Sequence, residues 1–355
     1  PISEEVGLIK VGDIICCCLD GYNCDVYKFL KNDYLVVSVW GLISDTCKLA
    51  NIPIPTIREL NQMLDEETFE MYELGLTCTL NQADSDFATN LIKRYKPKNV
   101  GNMSAFVASI RPGFASLLDN FIERKPYSTG VKELDEILVD SYHYLLYQES
   151  IMKFLVWLGI EESGTYDIIK KIAKKKFKTE ELEALKSKLI GGWIKNVGKE
   201  DGFKETWQVI EDASRYSFNA SHSLSVGLDS LYGAYLKSHY PLEYYTVAFN
   251  YYKDDIERTS KLTEEIKHFG IKIESPKFGK SKGEYFFDKE TNTIYKGVGC
   301  IKNLNSKVGD ELYELGRNKY DEFINLLIDL KTKSSINTRQ LEILIILGYF
   351  SEFGK

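Results

Sequence analysis

Apolar residues are spaced differently in the first part of the chain and in the remainder. Before about residue 45, short apolar and β-branched runs predict strands at 14–18, 24–29 and 34–40. After that point, apolar residues recur every three or four positions, which is typical of helices that bury one face. This pattern predicts helices at about 100–110, 147–158, 165–176, 180–190, 202–214, 222–237 and 254–269.

Capping residues and a late change of period complete the outline. Thr56 and Glu59 have the spacing of a capping box, and Asp65 and Gly75 suit the two ends of a short helix. A second small sheet, followed by three helices that end near residue 348, is predicted from strand-like runs at 271–274, 284–287 and 293–295. The elements predict a predominantly helical α+β protein, with a small mixed or antiparallel N-terminal sheet and a helical C-terminal hairpin region.

Composition excludes several classes of protein. With 355 residues, 44% of them hydrophobic, the chain can bury cores for two or three domains. No apolar run approaches the roughly 20 residues needed to cross a bilayer, and no secretory signal opens the chain. Seven cysteines, with Cys16 to Cys18 contiguous and no CxxC pair, predict neither a disulfide framework nor a zinc site. A reducing cytoplasm fits best, without a membrane partner.

The most basic segment is 163–176. In a continuous helix its isoleucines would share one face, and the opposite face would gather Lys170, Lys171, Lys174, Lys175 and Lys178. Like charges at this spacing repel by a few tenths of a kcal/mol per pair, so the cluster favours a polyanionic partner. A solvated lysine face is the alternative. The net charge of −7 argues against nucleic-acid binding only as an average over the chain.

A second basic run, at 93–98, precedes a helix that ends at Arg111, Pro112 and Gly113. Proline disfavours helical geometry in the residue before it, so we expect Arg111 at the helix edge with its guanidinium free to project. Such a group suits a phosphate. The alternative is an exposed cation that interacts with the helix dipole.

The segment 218–226 leads into a long predicted helix. Asn219 or Ser221 would cap it, which places His222 in the first turn, beside backbone N–H groups that attract anions. A purely structural cap is the alternative.

Two further groups of residues carry weaker signals. The aromatic-rich run 141–149 is a stacking surface or, for most of its rings, plain core. His239 and His268 lie on separate predicted helices without a ligand-spaced partner, so no metal site is predicted there.

Taken in order, short segments of the chain resemble the bacterial C-family DNA polymerase III alpha subunit at that family's own separations. The segments are LIKR (91–94), RPG (111–113), DNFIERK (119–125), LYQE (146–149), the basic stretch 167–176, FNASH (218–222), YLKSHYPLE (235–243), GVGCIKN (297–303) and LGYFSEFG (347–354). Each segment is weak evidence alone, whereas their order over about 75–353 is specific.

The resemblance implies a domain plan and a set of contacts. It assigns 1–45 to the last strands of the palm, 46–290 to the fingers and 291–355 to a helix-hairpin-helix-like start of the clamp-binding region. Implied nucleotide or phosphate contacts are Arg111, Lys170, Lys171, Lys175, Asn219, His222, Tyr147 and Gln148. Implied DNA contacts are Lys93, Arg94, Lys174, Lys176 and Lys302.

Departures from the family pattern matter as much as the matches. The family's third palm aspartate should lie just before the Gly-Leu pair at 41–42, where this chain has Ser38, and neither Asp33 nor Asp45 replaces it in register. Serine is a poor ligand for the Mg²⁺ ions that such polymerases use, so we expect no metal on this chain alone. Ala220 stands where lysine is usual, and Asn305 stands where glycine is usual.

The resemblance implies the fingers-containing part of a replicative polymerase, of bacterial or phage origin, located in the bacterial or phage-infected cytoplasm. Its expected partners are template-primer DNA, the incoming dNTP, an N-terminal palm and PHP part that supplies the missing carboxylates, and a sliding clamp reached by segments beyond Lys355. The alternative is a catalytically inactive, polymerase-derived DNA-binding or accessory protein, which the serine at position 38 favours.

Overall fold

The computed structural model describes residues 4–30 and 37–354 and divides into two compact units between Ser38 and Val39. In the smaller unit, β1 (Leu8–Val11) pairs antiparallel with β2 (Ile14–Cys17). Gly12, with φ 61°, opens the two-residue turn between them. Several large apolar side chains of this hairpin are exposed, namely Leu8, Ile9, Val11, Ile14 and Ile15.

Two of the three strands predicted near the N-terminus need correction. The run 24–29 is not a strand, because Asp20 accepts a hydrogen bond from the backbone N–H of Asn23 and starts α1 (Gly21–Val26). Residues 34–36 of the run 34–40 lie outside the described residues, and Val39 and Trp40 begin a helix. Burial at helical spacing decides this, since Val39, Ile43 and Cys47 all face the core.

The larger unit is mainly helical. Its first helices are α2 (Val39–Ala50), α3 (Ile57–Met63), α4 (Glu66–Leu74), α5 (Asp86–Tyr95), α6 (Val100–Ser109) and α7 (Ala115–Ile122). Next come α8 (Lys132–Ile137), α9 (Gln148–Trp157), α10 (Glu162–Ala173), α11 (Thr179–Val197) and α12 (Phe203–Ala213). Then follow α13 (Ala220–His239), α14 (Pro241–Tyr251) and α15 (Ile256–Glu265).

The predicted caps of α3 and α4 are confirmed. The hydroxyl of Thr56 accepts a hydrogen bond from the backbone N–H of Glu59, whose carboxylate accepts one from the N–H of Thr56. The carboxylate of Asp65 accepts one from the N–H of Thr68, and Gly75 ends α4 with φ 78°.

Helix α13 is the centre of the main core. It packs against α6, α4 and α2, and its residues Leu231, Ala234 and Leu236 are fully buried. Helices α8 to α12 enclose a second core around Phe154, Leu189 and other apolar side chains.

A buried ion pair joins α13 to α15. The ammonium of Lys237, which has no exposed surface, donates to the carboxylate of Glu265 at 2.7 Å and to the carbonyls of Leu76 and Cys78 at 2.9 and 2.7 Å. Glu265 also accepts hydrogen bonds from the Tyr245 hydroxyl and the Cys78 N–H, so every charge is compensated.

The predicted second sheet is confirmed, with strand order β3–β5–β4. Strand β3 (Lys272–Glu274) pairs parallel with β5 (Thr293–Tyr295), and β4 (Phe286–Asp288) pairs antiparallel with β5. The three helices that follow build a third core. They are α16 (Ser306–Leu315), α17 (Phe323–Lys333) and α18 (Thr338–Ile346).

The turn before α16 differs from expectation in one detail. Asn305 is extended, with φ −138°, and its side chain caps α16 by accepting the N–H of Val308 at 3.0 Å. The left-handed residue of this turn is Asn303, with φ 73°. The departure from glycine at 305 therefore causes no backbone strain.

Candidate nucleotide and nucleic-acid site

Arg111 lies where α6 has ended, with extended φ and ψ angles of −133° and 142° that suit a residue before proline. Its guanidinium carbon lies 3.8 Å from the centre of the Phe218 ring, a cation–π stack. Its Nε is buried and has no hydrogen-bond partner among the described residues, and burial lowers the pKa of the guanidinium below its ordinary value. The guanidinium is therefore held against the Phe218 ring. The expectation from the sequence, that it projects freely, is wrong.

Phe218 is positioned by a short strand-like pairing. The N–H of Phe218 donates to the carbonyl of Leu146 at 2.8 Å, and the N–H of Gln148 donates to the carbonyl of Phe218 at 3.0 Å. The amide of the Gln148 side chain adds a bond to the carbonyl of Ser217 at 3.3 Å. This pairing brings Tyr147 and Gln148, about 70 residues earlier in the chain, beside the residues that open α13.

His222 lies in the first turn of α13, as predicted. Asn219 is the N-cap, and its Oδ1 accepts the N–H of His222 at 2.8 Å. The imidazole is exposed and meets the Phe218 ring edge-on, at 5.2 Å between ring centres. Arg111 and His222 thus contact the same aromatic ring, so two of the predicted phosphate contacts do come together.

Glu149 is the residue that the sequence reasoning missed. Its Oε1 accepts the side-chain N–H of Asn219 at 2.8 Å, and its Oε2 accepts the backbone N–H of Ala220 at 2.9 Å. A carboxylate of the chain itself therefore lies at the positive end of α13. Glu149 is the last residue of the motif at 146–149, but no sequence spacing connects it to a cap 70 residues later.

Tyr147 and Gln148 have partners within the chain. The hydroxyl of Tyr147 lies 3.4 Å from the hydroxyl of Ser104, and burial raises the pKa of Tyr147 above its usual value. The Gln148 side chain bonds to the loop, as described above. Their role as ligand contacts stays a prediction.

The lysine-rich segment differs from the predicted continuous helix. Helix α10 ends at Ala173, Lys174 caps it and Lys175 turns left-handed with φ 51°. Lys178 precedes α11 as its N-cap, so these cations crowd a turn rather than one helix face. The C-terminal end of a helix favours cations, which relieves part of the expected repulsion.

The lysines at this turn are exposed, and two of them have aromatic or acidic partners. The ammonium of Lys170 lies 4.3 Å from the Tyr166 ring centre, and that of Lys171 lies 5.3 Å from the Phe177 ring centre and 3.7 Å from the carboxylate of Glu181. A cavity of about 260 Å³ opens beside them, lined by Lys171, Ile172, Lys175, Phe177, Leu182, Trp207 and Glu211.

Arg111 and the two lysines have separate sets of partners. Arg111 packs against the loop that opens α13, whereas Lys170 and Lys171 pair with residues of α10, α11 and the turn between them. Convergence of Arg111, Lys171 and His222 on one anion stays a prediction.

The residues predicted to contact DNA are exposed. Arg94 is exposed like the others, but its guanidinium already bonds to two carboxylates of the chain, Asp119 at 3.0 Å and Glu123 at 2.8 Å. The others are Lys93 at the end of α5, Lys174 and Lys176 in the turn after α10, and Lys302 in the turn before α16.

At the position where the resemblance implies a carboxylate, the chain has an exposed Ser38, directly before α2. Asp45 of α2 bonds to Lys48 and to the hydroxyl of Tyr251, each at 2.8 Å, and Asp33 lies outside the described residues.

One group of acidic and histidine side chains lies close together elsewhere. In the described parts of the chain, Asp65, Glu67 and His239 are the only such trio near enough to share a metal ion. The Nε2 of His239 lies 3.0 Å from Asp65, and the hydroxyl of Ser238 lies 2.9 Å from its Nδ1. Sequence spacing does not reveal this trio, because its acids come from the start of α4 and its histidine from the end of α13. The prediction of no metal site at His239 stays a prediction.

No helix among the described residues combines the length and apolar character that a bilayer span requires.

Two family models match the chain. Residues 42–197 match the bacterial DNA polymerase III alpha subunit finger domain, and residues 270–355 match a helix-hairpin-helix motif. The first match runs from α2 to the end of α11 and includes Arg111, Glu149 and the lysine-rich turn. The second covers the three-stranded sheet and α16 to α18.

Curated relatives extend the match over most of the chain. The DNA polymerase III subunit alpha of Aquifex aeolicus is 31% identical over 294 residues, which are 81% of this chain and 25% of that protein. The one of Bacillus subtilis is 28% identical over 359 residues, which are 99% of this chain and 30% of that protein.

The chain belongs to the C-family of bacterial DNA polymerase III alpha subunits. A further alpha subunit, from Escherichia coli K12, is 29% identical over 304 residues, covering 82% of this chain and 26% of that protein. The chain therefore spans only about a quarter to three tenths of the length of the C-family alpha subunits it matches.

Proposed function

We propose that this chain serves as the finger-domain part of a template-directed DNA polymerase, binding the incoming dNTP and the template-primer DNA. The observation that carries the proposal is the stack of Arg111 on Phe218 beside His222. Within the part of the chain that the structure describes, the buried Nε donor of Arg111 has no partner, and a guanidinium held in place by a ring is well suited to a phosphate. Membership of the C-family supplies the class of reaction.

The lysine-rich turn and the exposed basic residues complete this proposal. Lys170, Lys171 and Lys175 would contribute positive charge to the triphosphate, and Lys93, Arg94, Lys174, Lys176 and Lys302 to the DNA backbone. The match to a helix-hairpin-helix motif agrees with a backbone-binding role for the turn that carries Lys302. A sliding clamp would be reached through residues outside this chain.

The metal chemistry would also come from outside this chain. Polymerases of this kind use Mg²⁺ held by palm carboxylates to activate the primer hydroxyl and stabilise the leaving pyrophosphate. Ser38 offers a hydroxyl at the expected carboxylate position, and Asp45 is engaged with Lys48 and Tyr251. An N-terminal palm and PHP part must then supply the acids.

Primer extension in mixtures tests the proposal. The full chain is combined with a separately produced N-terminal palm part of an alpha subunit, and extension of a primed template is followed with Mg²⁺ and dNTPs. We expect extension above that of the palm part alone. Equal extension with and without this chain, together with undetectable dNTP binding, would overturn the proposal.

A second candidate is a catalytically inactive, polymerase-derived protein that retains only DNA binding. Ser38 favours it, because the position offers no carboxylate. Thermal unfolding distinguishes the two. The first candidate predicts stabilisation by dNTP that His222→Ala and Lys171→Glu abolish, whereas the second predicts salt-sensitive DNA affinity that does not respond to nucleotide.

A further inference from the structure

We propose that the hydrogen bond between Glu149 and Asn219 positions the turn carrying His222. We call the two residues a polarity-matched pair, because each hydrogen-bond donor around them faces an acceptor. Asn219 then acts as a positioning residue rather than as a ligand contact. The pair follows from the hydrogen bonds alone. Its effect on ligand binding rests on the proposed function, since His222 is one of the residues that would face the nucleotide.

The direction of each hydrogen bond is fixed by chemistry. An ionised carboxylate only accepts hydrogen bonds, so the atom of Asn219 that lies 2.8 Å from Glu149 must be the amide nitrogen. The amide oxygen then faces the backbone N–H of His222 at 2.8 Å and accepts from it. With the amide turned over, oxygen would face the carboxylate and nitrogen would face an N–H donor.

The same carboxylate also satisfies the first amide of the helix. Its second oxygen accepts the N–H of Ala220 at 2.9 Å, at the positive end of the 20-residue α13. That N–H, which the sequence suggested as an anion-binding group, is thus occupied by the chain itself. A ligand phosphate would meet the Arg111 guanidinium and the exposed His222 imidazole instead.

The pair acts on a segment that already carries the Arg111 stack. Backbone bonds between Leu146, Gln148 and Phe218 hold the preceding part of the loop, and Phe218 is the ring on which Arg111 rests. The Glu149–Asn219 pair extends this connection by two residues into α13. Loosening the pair should therefore displace His222 while α9 and α13 remain folded.

Reversing the polarity of the pair provides the test. In Glu149→Gln, the new amide has one acceptor oxygen for two donors, so either Ala220 or Asn219 faces an NH₂ group. In Asn219→Asp, two carboxylates face each other. In the double variant Glu149→Gln/Asn219→Asp, the glutamine oxygen accepts from Ala220, its nitrogen donates to the aspartate, and the other aspartate oxygen accepts from His222.

Two measurements on the full chain are compared for all variants. The first is hydrogen exchange in peptides covering 217–224, without ligand. The second is the affinity for dATP, measured by calorimetry in the presence of Mg²⁺. Each single variant should speed exchange and weaken binding about tenfold, and the double variant should return to within about threefold of the wild type. Glu162→Gln, in the exposed first turn of α10, is the matched control and should change neither.

The outcomes separate this inference from the proposed function. A wild-type chain that binds no dATP counts against the proposed function, while the exchange data still test the pair. Unchanged exchange in both single variants overturns the pair. A double variant no better than the singles overturns polarity matching. Faster exchange with unchanged dATP affinity overturns the positioning role.

Discussion

At the scale of single residues, Arg111 shows why side-chain chemistry matters more than charge. Its planar guanidinium lies over Phe218, at 3.8 Å from the ring centre, and keeps its N–H donors in its own plane. A lysine ammonium would keep the charge but lose both the stack and the fixed donor geometry. The residue before a proline is thus placed by the backbone and oriented by an aromatic neighbour.

Arg111→Lys is therefore expected to weaken dNTP binding about tenfold or more, the loss that accompanies a charge-assisted hydrogen bond. Calorimetry with dATP measures the effect. Arg58→Lys, on the exposed side of α3, is the control and should bind as the wild type does. Equal affinities for Arg111→Lys and the wild type would show that the stack does not serve the ligand.

Asp45 should give the chain part of its acid sensitivity. Its hydrogen bonds to Lys48 and Tyr251 lower the pKa of the carboxyl below the usual value. Since the folded pKa is depressed, the stabilisation is present above the unfolded pKa of about 3.9 and is lost as the pH falls through the folded pKa.

Asp45→Asn should accordingly lose less stability between about pH 5 and about pH 2.5 than the wild type does, by a few tenths of a kcal/mol for a half-exposed pair. Urea unfolding at the two pH values measures this difference. Asp321→Asn, at an exposed position, is the control. If wild type and Asp45→Asn respond to pH alike, the hydrogen bonds contribute nothing.

At the scale of elements, local sequence signals were reliable where local chemistry decides the structure. The capping box at Thr56 and Glu59 and the ends of α4 could be predicted because cap and helix lie within four residues of each other. The strand at 14–18 was predicted correctly, whereas the described end of the run 34–40 is a helix, because β-branched residues also suit a helix once tertiary packing buries them, as Val39 shows.

The lysine-rich turn shows a second limit of sequence patterns. Continuous helical spacing through 165–176 could not reveal that α10 stops at Ala173, because the left-handed Lys175 that follows is neither glycine nor asparagine. The Glu149 contact was out of reach for a different reason. Its partner lies 70 residues away, and only the pairing of two loops brings them together.

The buried ion pair between α13 and α15 should contribute to the stability of the packed helices. Lys237→Met would leave Glu265 charged, buried and short of one partner, so we expect a loss of about 3–5 kcal/mol in the free energy of unfolding. Urea unfolding measures it. Lys333→Met removes an exposed partner of Asp329 and should cost less than about 1 kcal/mol. Similar losses for both variants would contradict the role of burial.

At the scale of the whole molecule, the predominantly helical α+β class and the family were both predictable from the sequence. Ordered motifs such as those at 111–113 and 218–222 carried the family, since their order holds even where single residues differ. Domain boundaries at 45 and 290 stay predictions. The structure itself divides at Ser38 and builds separate cores from α8 to α12 and from α16 to α18.

Separate cores allow separate ligand contacts to be tested. Lys302, exposed before α16, should contribute to DNA binding but not to nucleotide binding. Lys302→Glu is expected to lower the affinity for duplex DNA severalfold and to reduce its salt dependence, with dATP affinity unchanged. Fluorescence anisotropy over a salt series measures this, with Lys333→Glu on α17 as the control. A loss equal to that of the control would exclude a specific role for Lys302.

The hairpin of β1 and β2 has a practical consequence for handling this protein. It presents Leu8, Ile9, Val11, Ile14 and Ile15 to solvent, and no further strand of the described ranges pairs with its outer edges. Such ribbons promote aggregation when a protein is concentrated. Purification and storage should therefore use dilute samples or mild detergent, and lysine substitutions at Ile14 and Ile15 should raise the concentration at which the chain begins to precipitate.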